Sequence, residues 1–381
     1  MPPISAPSQP QARDAVLDMA KGLAILLVVI GHTLQGMSHQ FDDLTAFRVI
    51  YAFHMPLFAF LAGAAATHWL RRIDQAGPLR ARVGESWGRV KRSSLHLLLP
   101  FAVWTLIGWA MTRAATPLPE YLLRVLRQPD VSLWFLPAMF WCAVFASAFV
   151  LVSGAAVRWL AARFPARMGG RGAAALVQLV VFLLLWHLLK RKLTPAFGLV
   201  FANEFHGGLF LFFALGAASF GPFTQLRSRA LRVLPYLLFA ALVPYWHRTL
   251  PHSLMPDAPA WLQHPALASK YALVVAVSGT LAAVDLVRVL AQLPLRWVHA
   301  AAAYAGQASL AVYAVHFHFL GIAPAVVAPM VLSVAFYALV SRIPVIRLLL
   351  LGMSTPPPVP DRVPGGQQQV QDRAAQGSGG G

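Results

Sequence analysis

Ten apolar runs, each long or nearly long enough to cross a bilayer, occupy most of this chain: about 15–36, 47–70, 93–112, 132–153, 173–190, 205–221, 231–247, 269–290, 299–320 and 322–341. A spanning helix needs roughly 20 mainly apolar residues. Runs of this length, repeated this often, predict an all-α fold: a polytopic membrane helix bundle of about ten transmembrane helices. Composition agrees. Only 12% of the residues are charged, against about a quarter in soluble domains.

The connecting segments carry the charge. The formal net charge of +18 would suggest nucleic acid in a soluble protein. Here the cations lie in short loops between apolar runs, where Lys and Arg set membrane orientation, and no nucleic-acid partner is expected. With both termini in the cytoplasm, 22 of the 31 Lys and Arg fall inside and 9 outside. Both termini are therefore expected to be cytoplasmic, with the basic loop 71–92 inside; the run Lys190-Arg191-Lys192 is the main exception. Cys142 is the sole cysteine, so there is no internal disulfide and no thiol cluster for a metal. Lys21 interrupts the first run, no small-residue cleavage site follows it, and it reads as a retained helix. The membrane domain is expected over 13–350. Residues 1–12 and the Pro-, Gly- and Gln-rich 351–381 are expected to be disordered.

Two residues do not belong in an apolar run. Lys21 and His32 lie in the first, eleven positions apart. A Lys at the centre of a spanning helix costs roughly 2.5–3.5 kcal/mol on insertion scales. Eleven residues make about three turns, so the two side chains share one face, about 16 Å apart along the axis.

The orientation sorts the other polar residues by depth. His32, His54, Trp134, Glu204, His206 and His316 all fall near the outer interface. Arg71, Arg72, Arg80, Arg82, Arg89, Lys91 and Arg92 crowd the cytoplasmic side, with Lys21 reaching back toward them. A cytosolic polyphosphate donor and an external acceptor would each be matched. Cations hold phosphates, and a neutral His can take a proton from a hydroxyl. Blander readings stand beside these. Arg71 and Arg72 read as topology anchors, and Asp14 and Asp18 as acids suited to a helix N-terminus. Asp285 and Arg288 read as a simple pair three apart on one helix. His316 and His318 are two apart, so a regular helix points them about 200° apart. No His-x-x-x-His or acid-rich cluster occurs in the sequence, and no metal is expected.

Five segments, in order over 13–320, resemble the acyltransferase-3 family of integral-membrane O-acyltransferases. Lys21 through Gly31-His32 is similar to its basic residue, ten-residue gap and His. Phe53-His54-Met55-Pro56-Leu57-Phe58 resembles its second-helix motif, with Ala62 where Ser is common. Arg89-Val90-Lys91-Arg92, leading to Leu99-Pro100-Phe101, resembles its Arg-x-x-Arg entry to the third helix. Leu133-Trp134-Phe135-Leu136-Pro137 and Ser309 through His316 resemble its fourth- and ninth-helix motifs. Within the family the chain looks most like the group of fucose and Nod-factor O-acetyltransferases.

The resemblance implies a bacterial inner-membrane O-acyltransferase. It would move an acyl group, acetyl first, from cytosolic acetyl-CoA to a glycan or lipid-linked sugar hydroxyl. Acetyl-CoA is then a co-substrate, with no bound cofactor, and the remaining partner is the lipid bilayer. His32 is implied as general base or transient acyl carrier. Lys21, Arg89 and Arg92 are implied as contacts to CoA phosphates, although Lys21 equally fits a place along the donor channel, in a network with His32. His54 and His316 would shape the acceptor end, Trp134 could stack on a sugar ring, and Glu204 could orient an imidazole. A transporter or flippase is the competing reading, because intramembrane charge also lines transport paths. It lacks the paired inverted repeats that many transporters show.

Overall fold

The computed structural model describes residues 14–112, 115–127, 133–164, 171–188 and 205–354. Glu204, Lys190 to Lys192, the 1–12 segment and residues 355–381 lie outside the described residues.

A helix falls on each of the ten expected runs, and no strand occurs among the described residues. The helices are α1 (Ala15–Met37), α2 (Thr45–Tyr51), α3 (His54–Gln75), α4 (Leu79–Ser93), α5 (Leu99–Met111), α6 (Leu118–Arg127), α7 (Phe135–Arg163), α8 (Arg171–Leu188), α9 (Phe205–Thr224), α10 (Arg229–Leu242), α11 (Ala260–Gln263), α12 (Pro265–Leu290), α13 (Arg296–Gln307), α14 (Ser309–Val315), α15 (Val327–Val340) and α16 (Pro344–Leu351). Among the described residues, five helical stretches are long and apolar enough to cross a membrane: Ala15–Met37, Thr45–Gln75, Leu79–Met111, Phe135–Arg163 and Pro265–Leu290.

The stretch 71–92, expected as a loop, is helical except at 76–78. Its cations lowered its hydropathy below that of a span, yet nothing in it breaks a helix after Pro78. A π-helical turn at Ser94–Leu98 joins α4 to α5 without interruption. Helix α7 likewise runs ten residues beyond the expected end of its apolar run, to Arg163.

Helix α1 is central. Its N-cap is Asp14, whose side chain accepts from the Leu17 amide at 3.1 Å. Gly22 lies against the Ala302 carbonyl, and Gly306 against that of Asp18, each so close that a Cβ would collide. Glycines on both helices thus let α1 and α13 pack backbone to backbone, the means by which apolar helices gain contact in lipid. Gly63 and Gly216 do the same for α3 and α9, facing Phe213 and Phe60.

Helices α10 and α12 are stapled by charge. Asp285, buried, accepts from Arg232 at 2.7 and 3.2 Å and from Tyr236 at 3.2 Å. Arg288 stands off at 3.7 Å. The expected Asp285–Arg288 pair is therefore the weaker half of a network whose main partner lies 53 residues away.

Candidate active site

One end of the site is a group of imidazoles. His32 lies on the fifth turn of α1. α14 gives way at His316–Phe319 to a 3-10 turn, which turns His316 inward, fully buried, and leaves Phe317 48% exposed. His32 Nδ1 and His316 Nε2 are 2.8 Å apart, and the two rings stack at 5.0 Å. Phe317 closes on both, at 4.4 and 4.2 Å between ring centroids.

The hydrogen bonds fix the tautomers of the neutral rings. His316 Nδ1 is 2.7 Å from the Val312 carbonyl. A carbonyl only accepts, so His316 Nδ1 carries the proton and its Nε2 offers a lone pair. His32 Nδ1 must then donate to that Nε2, which leaves the lone pair of His32 on its own Nε2. His316 thus orients His32, as the third member of a catalytic triad orients the base.

His54 opens α3, is buried, and donates from Nδ1 to Ile50 O at 3.1 Å, so its Nε2 also carries a lone pair. It lies within electrostatic reach of His32. Tyr51 packs on His54 at 4.5 Å. Tyr51 gets this near α1 because residue 31 is glycine, where a Cβ would sit 2.7 Å from the tyrosine ring.

A cavity of about 380 Å³ opens the bundle between α1, α3, α4, α7, α13 and α14. One part of its wall is polar: Asp18, Lys21, Arg89, Ser93, His96 and Gln307. Lys21 pairs with Asp18 at 3.4 Å. Arg89 lies over the Trp69 ring at 4.7 Å. Its buried Nε, and the buried Ser93 Oγ one turn on, have no hydrogen-bond partner among the described residues. Buried donors without partners are costly, and these two border a cavity a ligand could fill. The remaining wall is mainly apolar and ends at Val28, Phe58, Phe135 and Tyr313. Val28 precedes His32 by one turn, and Tyr313 precedes His316 by three residues. The cavity therefore points along α1 toward the histidine pair and stops about 6 Å short of it along the helix axis.

The structure brings together Lys21 and Arg89 around the cavity, and His32 with His316 and His54 beyond it. Arg92 does not join them. It is exposed, does not line the cavity, and folds back over its own helix toward Gly88. Trp134 stands at the start of α7, partly buried, edge-on to Phe135 at 5.9 Å, while the cavity is lined by its neighbours Phe135 and Leu136. Of the two acids near the start of α1, Asp14 is the N-cap expected of it. Asp18 instead turns inward to Lys21 and the cavity. Ser93 and His96 escaped notice in the sequence, although they follow Arg89 by four and seven positions, the spacing of one helix face. The partnering of His32 with His316, 284 residues apart, left no signal in spacing at all.

A helical membrane bundle with a basic cavity at one end of a central helix and an oriented imidazole at the other defines the class. The sequence profile of the family described as acyltransferase domain matches residues 14–354, and the chain belongs to that family, acyltransferase-3. It is 32% identical over 144 residues to nodulation protein NolL of Mesorhizobium japonicum, covering 36% of each chain. It is 32% identical over 96 residues to nodulation protein NolL of Sinorhizobium fredii, covering 24% of this chain and 23% of the relative. The matched stretches thus span about a third or less of these relatives' lengths. No solved structure matches.

Proposed function

We propose that this protein is an O-acyltransferase of the bacterial cytoplasmic membrane. It takes an acyl group, acetyl in the first instance, from cytosolic acyl-CoA and passes it to a hydroxyl of a glycan or lipid-linked sugar at the outer face. The observation that carries this reading is the tautomer of His32. Its Nε2 holds a free lone pair about 16 Å along α1 from Lys21, beyond the far end of a cavity that begins with unpartnered donors.

In this reading the CoA phosphates meet Lys21, Arg89 and Ser93. The pantetheine arm, of the same order of length as α1 between Lys21 and His32, lies along the apolar wall. Phe58, Phe135 and Tyr313 stand between the cavity and the histidines, and the acyl end must pass them. At His32, Nε2 takes the proton of the acceptor hydroxyl as its oxygen attacks the thioester carbonyl. The C–S bond then breaks and the proton goes to the departing CoA thiolate. The same lone pair would serve if the acyl group first formed an acyl-imidazole. Phe317, half exposed against both rings, offers the acceptor sugar a surface beside the reacting atom, a role for which Trp134 is less well placed.

The direct test is transfer itself. Purified protein in detergent is given radiolabelled acetyl-CoA and the surface glycan and lipid-linked saccharide fraction from cells lacking the protein. Label should enter the saccharide as base-labile ester, and mass spectrometry of surface glycans should lose the same ester when the protein is deleted. Saccharide moved across vesicle membranes without acylation would support a flippase instead. The orientation has its own test. A cysteine at Gln75, with the buried Cys142 changed to alanine, should resist an impermeant thiol reagent added outside intact cells. Ready labelling would reverse the orientation on which the cytosolic donor depends.

A further inference from the structure

Helix α16 ends at Leu351, and the turn that follows it forms part of the cavity wall. α16 closes at Gly352 with φ +64°, and the turn after it runs to Ser354. Gly352 lies so close to the His96 backbone that a Cβ would collide with it. Leu351 and Met353, on either side, line the same cavity as Lys21 and Arg89.

This turn is held from several directions. Arg347, 5% exposed, donates from Nη1 to Ser341 O at 2.9 Å, from Nε to Met353 O at 3.2 Å and from Nη2 to Ser354 O at 3.3 Å. His96 Nδ1 donates to Gly352 O at 3.3 Å, and Trp104 Nε1 to Leu350 O at 3.0 Å. A guanidinium presents its donors as a planar fork, and here three of its nitrogens each hold a different carbonyl, two of them in the turn. Lysine has a single nitrogen and cannot reproduce that span. Because His96 lines the cavity as well, a displaced turn would disturb two parts of the wall at once.

We propose that Arg347 is a positioning residue for donor binding. It touches no substrate, but clamps the C-terminal turn as a wall of the donor cavity, so that affinity for CoA depends on it. The proposal rests on the reading of the cavity as the acyl-CoA site.

The test uses full-length protein in detergent, with CoA as the probe for calorimetric binding and acetyl-CoA and the saccharide fraction for kinetics. Arg347→Lys should raise the CoA Kd and the acetyl-CoA KM by about fivefold or more, the scale of one or two lost hydrogen bonds. kcat and the acceptor KM should stay within about twofold. Met353→Ala removes wall without touching the clamp. It should shift the donor KM and CoA Kd in the same selective way in protein that remains folded. A folded Arg347→Lys protein with wild-type donor affinity overturns the proposal. So does a loss spread equally over kcat and both KM values, the mark of a merely structural residue. If Arg347→Lys does not fold, Met353→Ala decides, and unchanged donor KM and CoA Kd there overturn it. Wild-type protein that binds no CoA overturns the cavity assignment itself, and the clamp with it.

Discussion

At the histidine end of the site each imidazole Nδ1 is committed: His54 to Ile50 O, His316 to Val312 O, and His32 to His316. At the Lys21 end the polar groups are only loosely engaged. Lys21 meets Asp18 at 3.4 Å, and Arg89 Nε and Ser93 Oγ have no hydrogen-bond partner among the described residues beside a cavity of about 380 Å³. The two ends answer different demands. A reacting atom must be held in one orientation, because catalysis depends on preorganised geometry. A binding site gains by leaving donors that a ligand satisfies, since their unmet bonds are a cost that binding removes. The Asp285 network shows a third case. Its carboxylate accepts three hydrogen bonds from Arg232 and Tyr236, both on α10, and borders no catalytic group, so its charge is spent on holding α10 to α12.

This contrast can be broken most sharply at His316. Changing it to leucine removes the acceptor for His32 Nδ1 and frees the ring to carry its proton on Nε2, where the lone pair is needed. Transfer should fall by roughly 100-fold or more, while CoA binding in the same preparation stays at the wild-type value. If CoA affinity fell in step with transfer, the two ends would not be separable.

A smaller effect is expected at the Lys21 end, and it should divide two arginines three residues apart. Arg89→Ala should raise the acetyl-CoA KM by about tenfold, the loss of one charge-assisted contact, with the acceptor KM unchanged. Arg92→Ala should leave both within about twofold, because that side chain is exposed and directed along its own helix. Equal effects at both positions would mean that the donor lies across the mouth of the cavity rather than inside it.

Much of this was legible in the sequence, but unevenly. The helices are, because apolar length is a local property: a helix lies on each of the ten expected runs. The placement of Lys21 and His32 at two stations of one helix is too, because a helix converts spacing into direction. His316 and His318 do point apart, one buried and one exposed, although a 3-10 turn rather than a regular helix carries them. What could not be read is whatever depends on packing between distant segments. Neither the His32–His316 bond nor the Arg232–Asp285 bond has a trace in local spacing. The helical nature of 71–92 was hidden by its charge, since hydropathy finds membrane spans and overlooks basic helices that continue them. Arg89 and Arg92 looked alike because three positions put them on neighbouring faces. Only the packing of α4 beside Trp69 turns one inward.

The account stands on His32 as the group that acts on the acceptor while the donor is held elsewhere. The most direct measurement takes one purified preparation of His32→Gln and reads two quantities: the equilibrium Kd for CoA and the initial rate of acetyl transfer to saccharide. Glutamine keeps polarity and some hydrogen bonding but cannot serve as the base. CoA should bind as to wild type, while transfer falls by about 100-fold or more. Folded His32→Gln protein that transfers acetyl at near the wild-type rate would make His32 a structural histidine and contradict the account.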